Sequence, residues 1–133
     1  MMSIAAELAG FVTSTGVDDL PALALERARM VIASTIASAA MGSAIVSSRI
    51  IRELALERGG TAEATLWFSG SPRLPVADVA RVNAVMSDAA ASDDSDLRNI
   101  AHIGTIISTT AIAMAERSGA SGQIGRASCR ERV

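Results

Sequence analysis

The chain has no lysine and no tyrosine, one cysteine, one histidine, two phenylalanines and one tryptophan in 133 residues. Each shortage excludes something. A lone Cys129 forms no intramolecular disulfide and fits a reducing compartment, so a cytoplasmic location is expected. The absence of lysine removes one common type of catalytic base. All twelve basic residues are arginine, against fourteen acids, for a net charge of −2. That balance lacks the one-sided basic surface of a nucleic-acid binder, so no nucleic-acid partner is expected. One histidine and one cysteine are too few for a zinc site. With so few aromatics, Ala, Ile, Val, Leu and Met must fill the core, which suits closely packed helices better than sandwiched sheets.

Charge is missing altogether over residues 30–48, the one stretch with a membrane-like look. Ser34, Thr35, Ser38, Ser43 and Ser47 dilute it, and Gly42 reads as a helix stop. A buried helix of a soluble protein is therefore expected, with no membrane partner. The first ten residues read as a helix and lack the basic start of a signal peptide.

What is present is helical periodicity. Ser3 caps a helix over 4–13, with Ile4, Leu8, Phe11 and Val12 on one face. Pro21 opens a second helix that becomes apolar all round, a pattern that belongs in the middle of a fold. A third, over 44–58, sets Ile45, Ile50, Ile51, Leu54 and Leu56 against Arg49, Arg52, Glu53 and Glu57, and Gly59-Gly60 ends it. Residues 63–68 are the only strand-like run, and 69–74 read as loop. Pro75 opens a fourth helix to about residue 91, and a fifth covers about 104–118 before Gly119. The expected fold class is all-α, five helices with one minor extended segment, forming part of a larger helical domain. Residues 124–133 break both periodicity and composition. They read as the translation of a sequencing-adapter oligonucleotide past the end of a truncated gene, which leaves 1–123 as the natural segment.

Between the fourth and fifth helices lies the one concentration of reactive groups: Asp93, Asp94, Ser95, Asp96, Arg98 and His102. Loops held by rigid helices are where catalytic groups tend to sit. Crowded carboxylates resist ionising together, so one can serve as base while another carries a proton. His102 can exchange a proton near neutrality. The amides of Gly104 and Thr105, at the start of the fifth helix, would form an anion site. A base, an acid and an anion-binding helix end suit a substrate that carries carboxylates. A solvated acidic loop with a capping histidine is the plainer alternative.

Metal binding fits less well. An EF-hand started at Asp94 would put Arg98 at the fifth position, Asn99 where Gly is required and Thr105 where the bidentate Glu belongs, so no metal is expected. Gly119 to Gln123 lacks the last Gly of a nucleophile elbow, and there is no phosphate loop or dinucleotide fingerprint.

The order Leu8-Ala9-Gly10-Phe11-Val12, Leu20-Pro21, Gly59-Gly60, Ala64-Thr65-Leu66-Trp67, Ala80-Arg81-Val82-Asn83, Asp93-Asp94-Ser95 and His102-Ile103-Gly104 resembles the start of the MmgE/PrpD family. That family includes 2-methylcitrate dehydratase and cis-aconitate decarboxylase. The resemblance implies a large helical domain with a smaller lid domain, in a homodimer, acting as a lyase without metal or cofactor on small di- and tricarboxylates. It matches Asp93 and Asp94 to the family's paired acids, Ser95 to a threonine that keeps its hydroxyl, and His102 to the histidine.

On this resemblance Asp93, Asp94 and His102 are catalytic and Ser95 binds substrate; the free amides of Gly104 and Thr105, with Arg98 nearby in sequence, are expected to bind substrate as well. Ala91 stands where some decarboxylases have another aspartate, Ile103 stands where proline often follows the histidine, and the spacing to His102 is one residue longer. Dehydration, decarboxylation and isomerisation therefore stay open, as does a non-catalytic helical interaction module. Family members are several times longer, with later lysines, histidines and the lid, so the chain alone is expected to be inactive.

Overall fold

In the computed structural model the described residues are 3–97 and 100–120. They form five helices and a two-stranded hairpin: α1 (Ile4–Ser14), α2 (Ala22–Gly42), α3 (Val46–Arg58), β1 (Ala64–Thr65), β2 (Arg73–Leu74), α4 (Val76–Ala89) and α5 (Ile103–Ser118). The mostly helical architecture and its helix count agree with the periodicity.

α4 is the centre. It packs against α2 most extensively, and also against α5 and α3. Its Val79, Val82 and Met86 are essentially fully buried with Ala39, Ala55, Ala64 and Leu66. These residues follow the 3.6-residue period along α4, so one stripe faces all its neighbours.

The expected central position of α2 is where the structure differs. Only Thr35, Ser38, Ala39 and Gly42 of this helix are buried. Leu23, Met30, Ile36 and Met41 face outward. The reason is steric. Small residues at this spacing let the α4 backbone come close, and a Cβ added at Gly42 would collide with the carbonyl of Met86. The larger apolar residues of α2 are consequently turned away from α4. α1 buries none of its residues, leaving Ile4, Leu8, Phe11 and Val12 exposed.

A second correction concerns residues 69–74. Arg73 and Leu74 form a strand pairing antiparallel with Thr65 and Ala64. The strand is too short, and too closely flanked by Pro72 and Pro75, to show alternation in sequence. The hairpin is fixed by polar side chains from the helices. Asn83 of α4, 1% exposed, accepts from Trp67 N (3.1 Å) and donates to Thr65 O (3.3 Å). Glu116 of α5 accepts from Thr65 N at 2.5 Å. Glu63 in turn accepts from Val76 N (2.9 Å), satisfying one of the free amides at the start of α4.

Among the described residues no single helix is long and apolar enough to cross a membrane. α2 and α3 have the length and composition only together, and the chain bends by 93° between them.

Candidate functional site

The acidic loop leaves α4 at Ala90 and must turn back to start α5 on the same side of the fold. Ala91 and Ile100 both adopt positive φ, 49° and 53°. Between them, Asp96 N donates to Ala101 O (3.0 Å), and Ile100 N to Asp96 O (2.7 Å), closing the loop on itself.

This turn drops two carboxylates onto the start of α5. Asp94 Oδ2 accepts from Gly104 N at 3.1 Å. Asp93 Oδ2 accepts from the Thr105 hydroxyl at 2.8 Å. A carboxylate is favoured here, where the first amides of a helix lack internal partners and the helix dipole is positive. Gly104 is required by the arrangement. A Cβ at this position would meet the Asp94 carboxylate and, at 2.6 Å, Val31 Cγ1.

The sequence assigned the Gly104 and Thr105 amides to a substrate anion. In the structure the Gly104 N–H is taken by the chain's own Asp94. Thr105 is 4% exposed, and its hydroxyl is committed to Asp93.

His102 is the residue that precedes α5, and its side chain makes no capping bond. Its Nδ1 lies 2.9 Å from Asp93 Oδ2, with the Asp93 side chain 1% exposed and the imidazole 41% exposed. The approach is off the line an aligned N–H···O bond needs, and Nδ1 itself is buried. The exposure of the side chain therefore falls on ring atoms other than Nδ1. A carboxylate can only accept, so a proton on Nδ1 is the tautomer compatible with Asp93 beside it.

The imidazole borders a cavity of about 420 Å³ between the ends of α4 and α5, shared with Ala84, Val85, Asp88, Thr105 and Ile106. Ligand atoms of Asp88, Asp93 and His102 lie within 4.8 Å of one another, so these are the described residues that could approach a cation. A second cavity, about 250 Å³, lies between α2 and α5 and is walled by Val31, Ile32, Ile107 and Asp94. The Asp94 Oδ1 atom is buried without a hydrogen-bond partner.

The structure thus brings Asp93, Asp94, His102, Gly104 and Thr105 together. Ser95 is exposed and borders neither cavity. Arg98 lies outside the described residues, as does everything from residue 121 onward, including Cys129 and the expected tail. Sequence reasoning missed Ser87 and Asp88, in the last turns of α4. Ser87 lies on the buried face of α4, which also carries Asp78 and Asn83, and Asp88 is exposed, so no sequence signal set the two apart. The Ser87 hydroxyl is fully buried and 3.1 Å from Thr105 Oγ1.

No curated protein and no solved structure matches this chain. A family model does: the MmgE/PrpD N-terminal domain matches residues 6–128, and the chain belongs to that family.

Proposed function

We propose that this domain supplies the proton-transfer half of a lyase acting on a small polycarboxylate, removing water or carbon dioxide. The observation that carries the reading is the buried Asp93 carboxylate set against Nδ1 of a half-exposed imidazole that borders a cavity. The cavity, about 420 Å³, lies within the range of small-molecule sites, roughly 300–1,000 Å³.

In this reading Nε2 of His102 takes the proton from the carbon next to a substrate carboxylate, and the imidazolium formed is stabilised by Asp93. The same Nε2–H then returns a proton to the departing hydroxyl. For decarboxylation no carbon proton is taken first: Nε2–H of an imidazolium charged from solvent protonates the carbon as carbon dioxide leaves. Asp94 acts on geometry, because its bond to Gly104 N holds the loop against α5.

The substrate's own charge remains to be met. The described cavity lining offers Asp88 and no cation except His102 itself. In this reading positive charge for a polycarboxylate comes from Arg98, whose sequence position is close by, or from residues outside the described lining. The homodimer and the lid of the family belong to the same proposal.

The test is turnover of a panel of hydroxy- and unsaturated tricarboxylates by the chain carried on past Gln123 in its gene. His102→Ala should lower turnover by about 10²–10⁴-fold, the usual contribution of general acid–base catalysis. Water loss against carbon dioxide loss identifies the reaction. Equal rates for the two proteins would remove His102, and this reading with it.

A further inference from the structure

A hydroxyl pair stands behind the proposed acid–base pair, and nothing in the family resemblance assigns it. Asp93 Oδ2 is the meeting point of two groups. It lies 2.9 Å from His102 Nδ1 and accepts from the Thr105 hydroxyl at 2.8 Å. Thr105 Oγ1 is in turn 3.1 Å from the Ser87 hydroxyl, which is 2.9 Å from Ala84 O. Ser87 is 0% exposed and Thr105 4%. Water is thus excluded from the chain, and its bonds are intramolecular.

Counting protons gives the chain its character. Each hydroxyl has one proton to give and lone pairs to receive; a carboxylate only receives, and so does the carbonyl of Ala84. With Asp93 ionised, Ser87 donates to Thr105 and Thr105 donates to Asp93. If Asp93 takes a proton, every bond can reverse: Asp93 donates to Thr105, Thr105 to Ser87, and Ser87 to Ala84 O. Ser87, Thr105 and Asp93 Oδ2 each keep a partner in either state. A valine and an alanine at the two positions would pack as well, but neither could do this.

We propose that Thr105 and Ser87 are positioning residues: a reversible hydroxyl chain that holds Asp93 Oδ2 against His102 in both protonation states. This rests on the acid–base reading for its use in turnover, but not for its existence. It also gives Thr105 a role through its side chain in place of its amide.

The single histidine makes the test direct. In the ¹⁵N-labelled chain, two-bond ¹H–¹⁵N correlation reads the two ring nitrogens of His102 with no overlap. The wild type is expected to show one tautomer dominating, with the proton on Nδ1. Thr105→Val, which keeps the shape and loses the hydroxyl, should move both ring nitrogens toward the tautomer average. Thr105→Ser should restore the wild-type pair, and Ser87→Ala should shift it in the same direction by less, since the Thr105–Asp93 bond survives.

Circular dichroism checks that each variant is folded. A Thr105→Val spectrum that overlays the wild type would overturn the proposal, and so would a folded Thr105→Ser that fails to restore it. Should Thr105→Val not fold, Ser87→Ala decides: ring nitrogens identical to wild type would be fatal. Equal turnover of wild type and His102→Ala alongside a Thr105-dependent ring shift would sink the lyase reading and uphold the hydroxyl chain.

Discussion

Gly104→Ala is the sharpest perturbation of the site, because the substitution looks favourable on local grounds. Replacing glycine by alanine inside a helix ordinarily stabilises by about 1 kcal/mol. Here the added methyl has no room. It would overlap the Asp94 carboxylate and come within 2.6 Å of Val31 Cγ1. α2 carries Val31 and is held by its close packing on α4, so the carboxylate is the part that yields. Its bond to Gly104 N, 3.1 Å long, is then lost.

A hydrogen bond to a charged group contributes about 1.5–3 kcal/mol, and overpacking adds roughly 1–3 kcal/mol. The sum exceeds the propensity gain, for a net loss of about 2–5 kcal/mol. Urea unfolding followed by helical dichroism measures it. Asp94→Ala alone should cost about 1–3 kcal/mol by leaving the helix amide without its acceptor. The double variant should be clearly less destabilised than the two losses added, since the methyl then meets only Val31. Additive losses, or a Gly104→Ala protein as stable as wild type, would mean that Asp94 does not sit on the start of α5.

Two further outcomes test the scaffold. Asn83→Ala should destabilise by about 2–4 kcal/mol, because it strands the Trp67 N–H and Thr65 carbonyl and opens a void beside α4; thermal melting would register it, and an unchanged midpoint would refute the pinning of the hairpin. Asp78→Ala should cost only about 1–2 kcal/mol: its Oδ1 binds Arg58 (2.7 Å) and Arg81 (2.6 Å), but those side chains are 58% and 45% exposed, so solvent screens both pairs. Part of that loss should vanish in 1 M salt, and a salt-independent loss would point to packing instead.

The helices were legible because their apolar residues recur with the helical period and Ser3, Pro21, Gly59, Pro75 and Gly119 mark where they begin or end. The hidden parts are those that depend on distance. Sequence shows α2 as apolar, but not that Gly42 lets Met86 of another helix approach, which turns Met30 and Met41 outward. β2 is two residues long and has no period to read.

At the site, the acids and the histidine could be singled out as neighbours in the chain. Their pairing could not: Asp93 turns to His102 and Thr105, whereas Asp94 turns to Gly104. Ser87 is 18 residues from the hydroxyl it meets. A serine on a buried helix face looks like an ordinary small core residue until α5 is laid beside it.

The positive φ angles at Ala91 and Ile100 bear on how this loop tolerates change. A left-handed backbone costs an ordinary residue roughly 1–2 kcal/mol, and Ile100 pays it with a β-branched side chain that is 82% exposed and gains little from packing. Exposed positions normally accept almost any residue. These two invert that expectation: glycine or asparagine should be welcome at both, and a β-branched residue should be penalised at Ala91. The strain is held in place by the anchors at Asp93 and Asp94, so a substitution that removes either anchor also releases the loop. Shape and chemistry at this end of the fold are therefore inherited together, and the record of accepted changes at Ala91 and Ile100 should be narrower than their exposure to solvent suggests.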